Sequence, residues 1–85
     1  MKHGQIQVTG VVTREKDGKK SYTLYGITPF EDWENGIGMK TVSEWTNHVD
    51  LSILRPNDVI VPVYSRGYEG KAIFTGFTKV PVSDK

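Results

Sequence analysis

Apolar and polar residues alternate with a period of two in several short runs along this chain, and no run sustains the 3.6-residue period of a helix. In GQIQVTGVVT, Ile6, Val8 and Val12 fall on one side and Gln5, Gln7, Thr9 and Thr13 on the other, as in a half-buried strand. Gly10 interrupts the inward row and predicts a bulge or bend. KDGKK supplies Asp17-Gly18, a hairpin signal, and SYTLYGIT (21–28) is the returning second strand. PFEDWENGIG, with Pro29, Asn35, Gly36 and Gly38, reads as an irregular connection. In MKTVSEWTN the set Met39, Thr41, Ser43 and Trp45 alternates with Lys40, Val42, Glu44 and Thr46, giving a third strand with Trp45 expected in the core.

Beyond it, Asp50 can cap one helical turn in DLSIL, and Pro56 ends that turn because it disfavours helical geometry at Arg55. RPND then predicts a β-turn with proline second, launching VIVPVY as the fourth strand. Pro62 cannot donate to a ladder, so that strand is expected to be an edge there or bulged. SRGYEGK is a second glycine-containing hairpin connection, AIFTGFTKV the fifth strand with a kink at Gly76, and residues 79–85 are in part a tail. Five strands, curl-inducing glycines and one short helical turn predict an all-β fold: a small, closed, OB-like barrel in a single domain over residues 1–85. An SH3-like barrel shares the strand count and turn spacing and stays open as an alternative.

Composition narrows the class. At 85 residues the chain can hold one core, and no apolar run reaches the ~20 residues of a membrane-spanning helix. MKHGQIQVTG contains no apolar stretch of a secretory leader, and the chain has no cysteine, so the expectation is a cytoplasmic protein without disulfides or thiolate metal sites. The net charge is only +1, but it is unevenly spread. Arg14, Lys16, Lys19 and Lys20 outnumber Glu15 and Asp17 in the first hairpin, and Arg66 and Lys71 outnumber Glu69 in the second. Between Glu31 and Asp58, six acids face Lys40 and Arg55.

In an OB-type barrel the loops joining strands 1 to 2 and 4 to 5 flank the oligonucleotide face. Convergence of the two cationic hairpins there would neutralise phosphates with release of counterions. Tyr22 and Tyr25 have opposite parity on one strand, so both fit the core only if that strand is bulged or covered on both sides. Tyr68 sits at a hairpin tip, and Phe74 and Phe77 also differ in parity unless Gly76 resets the phase. The sequence therefore nominates Arg14, Lys16, Lys19, Lys20, Tyr22, Tyr25, Arg66, Tyr68, Lys71 and Phe74 as a surface for single-stranded DNA. A charged hairpin is also what any soluble turn carries, and aromatic residues favour sheets for packing alone.

Trp33, in an acidic loop, reads either as a cap on the barrel or as a contact for a protein partner, so a protein–protein adaptor or phage structural component is the alternative function. His48 has Asp50 nearby but no nucleophile, and no phosphate loop, zinc spacing or calcium loop is present; the expectation is a non-enzyme without cofactor or metal. A proline-bearing edge strand allows a homodimer.

GKKSYTL after a cationic turn, LRPNDVIVPV before the penultimate strand, and GKAIFTGFTKVP near the C-terminus resemble the small single-stranded-DNA-binding proteins of filamentous bacteriophages. The resemblance spans about a third of the chain. It implies an OB-type homodimer that coats DNA in phage or mobile-element replication. It would assign base stacking to Tyr22, phosphate contact to Arg14 and Lys19, and an aromatic position before the last strand to Tyr68.

Overall fold

Residues 2–81 are described by a computed structural model; residue 1, residues 82–85 of the expected tail, and the side chain of Tyr68 lie outside the described residues. Five strands, β1 (Ile6–Lys16), β2 (Lys19–Pro29), β3 (Met39–Thr46), β4 (Val59–Arg66) and β5 (Ala72–Val80), form one antiparallel sheet in the order β3-β2-β1-β4-β5. The all-β expectation holds. The fifth strand runs over Ala72–Val80, the AIFTGFTKV stretch. Among the described residues no helix is long and apolar enough to cross a membrane.

The first hairpin closes as its sequence demands. Lys16 faces Lys19, and Asp17 (φ 55°) and Gly18 (φ 77°) form the two-residue turn between them; positive φ at both positions is what matches a hairpin turn to the twist of its strands. Gly10 marks a bulge, because Val8 faces Gly26 while Gly10 faces Tyr25, leaving Thr9 as the extra residue. The extra residue reverses the phase of β1. Val11 thereafter packs against the core, and Val12, expected inside, is exposed. A second bulge leaves Thr75 unpaired between Phe74 and Gly76, and it lets both Phe74 and Phe77 reach the core side.

The core consists of Ile6, Val8, Tyr22, Leu24, Leu51, Leu54, Ile60 and Phe74. Leu51 and Leu54 come from the segment after β3, where one helical turn was expected. That segment is a chain of turns instead. The Asp50 carboxylate accepts from the Ser52 amide (2.8 Å) and hydroxyl (2.6 Å), and the Leu54 amide donates to the Leu51 carbonyl (3.1 Å). The Asp50–Ser52 bond is the one a helix cap makes, but Pro56 disfavours helical geometry at Arg55 and prevents further winding. Short 3₁₀ turns lie instead at Asp32–Glu34 and Tyr68–Gly70. Arg55–Asp58 is the expected β-turn, closed by Asp58 N–H to Arg55 O (3.0 Å), with Pro56 second and Asn57 at φ 79° third. Asn57 and Asp58 then exchange backbone bonds of 2.7 Å with Val8, tying this plug to the β1 bulge.

The sheet curls but does not close, which corrects the expectation of a closed barrel. No backbone ladder joins the outer strands β3 and β5. They meet where the Thr46 hydroxyl donates to the Phe74 carbonyl at 2.7 Å. Away from that point a cleft opens between β3 and β4, lined by Lys40, Val42 and Glu44 on one side and Val61, Pro62 and Tyr64 on the other. The inward row of β3 explains the open seam. Lys40 and Glu44 are charged, and burying them costs more than leaving the seam wet. Glu44 accepts from the Tyr64 hydroxyl (2.8 Å), and burial, followed by this carboxylate, pushes the Tyr64 phenol up to about 12. Pro62 lies beyond the short β1–β4 ladder, which pairs only Ile6 with Ile60 and Gln7 with Val59, so β4 is an edge at the proline as expected.

Candidate nucleic-acid interface

Parity on β2 is set by the core. Tyr22, Leu24, Gly26 and Thr28 point inward and are buried, so Ser21, Thr23, Tyr25 and Ile27 point outward. Gly26 tolerates no side chain, since a Cβ there would stand 2.6 Å from both the Gln7 carbonyl and the Ile6 side chain. The ladders carry this parity to the neighbouring strands. Thr23 faces Val12 on β1 and Trp45 on β3, and Tyr25 faces Gly10 and Ser43. Val12, Thr23 and Trp45 therefore form one lateral row on the outer face. Tyr25 lies diagonal to Trp45 across β2 and β3, a spacing of roughly 7–8 Å between such positions.

Trp45 overturns the expectation that it belongs to the core: it is 57% exposed, whereas Thr46 beside it is fully buried. The reason lies at the seam. The inward place next to β5 is narrow and polar, and Thr46 fits it by donating to Phe74 O and accepting the His48 amide at 3.0 Å. With Thr46 turned in, alternation turns Trp45 out.

Two nominated aromatics move the other way. Tyr22 is only 7% exposed and Phe74 only 2%. Tyr22 keeps the inward phase of β2, and burial, followed by the neighbouring Asp50 carboxylate, pushes its phenol up. Phe74 stands 5.9 Å from the Tyr64 ring, tilted by 49°. Neither ring has a face to offer a base, so the stacking role assigned to Tyr22 by resemblance is not available to it. Tyr25 is exposed, as nominated.

The cations divide into two groups. Past Tyr22 the first hairpin leaves the core as a projecting arm, with residues 13–20 all exposed. Pairing of Arg14 with Ser21 and of Lys16 with Lys19 puts these three cations on the outward parity, the side of Tyr25 and Trp45. Lys20 has the opposite parity and lies near Asp50, whose carboxyl is held down chiefly by its Ser52 hydrogen bonds. Lys16, Asp17, Lys19 and Lys20 line a shallow groove of about 390 Å³ with Ser21, Trp45 and Asn47, three cations against one acid. Among the described residues no ion pair within 4.0 Å engages Arg14, Lys16, Lys19 or Lys20. The second group, Arg66 and Lys71, is exposed on the β4–β5 hairpin. The curl of the sheet, seen where Thr46 meets Phe74 and Glu44 meets Tyr64, turns that hairpin toward the Thr46 end of β3, the end that pairs with the start of β2. The nominated Tyr68 side chain lies outside the described residues.

At the far end of the β2–β3 ladder the chain builds a second exposed feature. The 3₁₀ turn Asp32–Glu34 is fastened by a reciprocal cap: the Glu31 amide donates to Glu34 Oε1 (2.7 Å) and the Glu34 amide to the Glu31 carbonyl (2.9 Å). Lys40 Nζ bonds both Glu34 carboxylate oxygens at 2.9 Å, and it is the main cause holding that carboxyl below its usual range. Gly36 lies against the Phe30 ring, where any Cβ would fall within 2.6 Å of its carbons. On this pinned loop Trp33 is 78% exposed, so it does not cap the core.

Compared with protein-family models, with curated proteins and with solved structures, the chain matches none.

Proposed function

We propose that the protein binds single-stranded nucleic acid, single-stranded DNA in the first instance, along the outer face of β1–β3. The observation that carries this reading is Trp45, an exposed indole in a groove walled by Lys16, Lys19 and Lys20. Tyr25 extends the platform, and Arg14 borders it. OB-type folds use the β2–β3 face with the loop between strands 1 and 2 for oligonucleotides, and the strand order here leaves that face outward. Each base stacked on an exposed ring contributes roughly 1–3 kcal/mol, whatever its identity, so affinity comes with weak sequence preference. Up to four phosphates neutralised by Arg14, Lys16, Lys19 and Lys20 give a slope of log affinity against log salt of about −3, from ~0.7 per contact on single strands.

Fluorescence anisotropy of a labelled oligothymidylate tests it. Binding at low salt that weakens with that slope, and that is weakened about 5- to 150-fold in Trp45→Ala with the fold intact, is the expected result. No binding at low salt, or full binding by Trp45→Ala, overturns it.

A further inference from the structure

The groove on the cationic arm has a chemical complement elsewhere on the same molecule. Trp33 and Ile37, the latter 98% exposed, project from the capped acidic loop beside Asp32, whose side chain is 95% exposed with Oδ1 at 3.6 Å from His3 Nε2. A large apolar side chain held in water by a reciprocal cap and a Lys40–Glu34 bridge is pre-organised for insertion. Its charge is complementary to the groove: Glu31 and Asp32 flank Trp33, while Lys16, Lys19 and Lys20 outnumber Asp17 around the Trp45 face. The two features cannot meet within one chain. They stand at opposite ends of β3, eight residues long, or roughly 25 Å at ~3.3 Å per residue.

We propose that the Trp33 loop of one copy docks in the Trp45 groove of a second copy, with Asp32 facing Lys16 and Lys19. The surfaces that meet are different, so the contact is head-to-tail, and each added copy leaves a free loop and a free groove. A patch of this extent belongs to the weak class of interfaces, below about 1,200 Å², and its ionic component is screened by salt. The inference uses the groove assigned above to nucleic acid, but it is measured without nucleic acid, so either reading fails without the other.

The test is sedimentation velocity over a concentration series at low salt, with two variants at exposed positions. The groove variant combines Lys16→Glu with Lys19→Glu; the loop variant combines Asp32→Asn with Trp33→Ala. Wild-type protein is expected to grow in mass with concentration and to shrink with salt, and each variant alone to stay monomeric. An equimolar mixture of the variants is expected to stop at a dimer, since it pairs the one intact loop with the one intact groove. Wild-type protein that stays monomeric at the highest concentration, variants that each still associate, or a mixture of folded variants that stays monomeric overturns the proposal.

Discussion

Both ends of the β2–β3 ladder carry an exposed tryptophan, and the two are set in opposite chemistry. Trp45 stands on a regular strand beside the cationic arm, its outward direction imposed by the burial of Thr46 at the seam. Trp33 stands on an irregular turn among acids, its outward direction imposed by local caps and by Lys40. One indole is exposed because the global sheet leaves no room inside, the other because a local device holds it out. Of the two indoles, nucleic-acid binding is assigned to the first because it lies beside cations that make no ion pair among the described residues, whereas Trp33 lies among acids.

The comparison breaks most severely if the core assignment of Tyr22 is wrong. Tyr22→Ala is expected to cost about 3–5 kcal/mol of stability, as for large buried aromatics, and to be read as a large fall in the urea midpoint. Trp45→Ala is expected to shift stability by less than about 0.5 kcal/mol, as for surface positions. Equal melting of the two variants would place Tyr22 back on the surface.

Binding sharpens the contrast further. Trp45→Ala is expected to weaken oligothymidylate binding by about 5- to 150-fold, the equivalent of one stacked base. Trp33→Ala is expected to leave it unchanged in the same anisotropy assay. If both variants lose affinity equally, the ends are not chemically distinct.

How far was this division legible in the sequence? The strands, the Asp17-Gly18 turn, the Arg55–Asp58 turn and the bulge near Gly10 were, because each rests on local backbone chemistry. The two alternating sets of β3 were also legible, yet not which of them faces in. Lys40, Val42, Glu44 and Thr46 look like a solvent face, and they point inward only because the cleft beside β4 stays open and Thr46 is bonded to β5. That choice depends on a contact 28 residues away. For the same reason Trp45 was missed as a surface group and Tyr22 and Phe74 were misplaced on it. The cations of the first hairpin were found by composition alone, whereas which of them share the outer face follows from the β1–β2 register, which composition does not encode.

Smaller effects test the electrostatic half. Lys16→Gln with Lys19→Gln is expected to flatten the salt slope by about 1.4, and Asp32→Asn to leave it unaltered. At the acidic end the pH dependence has a fixed sign. The Glu34 carboxyl is depressed by Lys40, so its contribution to holding the loop is complete above the ordinary glutamate range and lost as pH falls through its lowered folded value. Amide exchange in residues 31–36 is expected to accelerate on acidification in wild type, with a smaller pH dependence in Lys40→Met.

The most direct measurement is an amide and indole NMR titration with an oligothymidylate at low salt. The expected shifts fall on Arg14, Lys16, Lys19, Thr23, Tyr25 and the Trp45 indole, with the Trp33 indole unmoved. Shifts centred on Trp33, or on Arg66 and Lys71 with Trp45 silent, would contradict the assignment of the outer β1–β3 face.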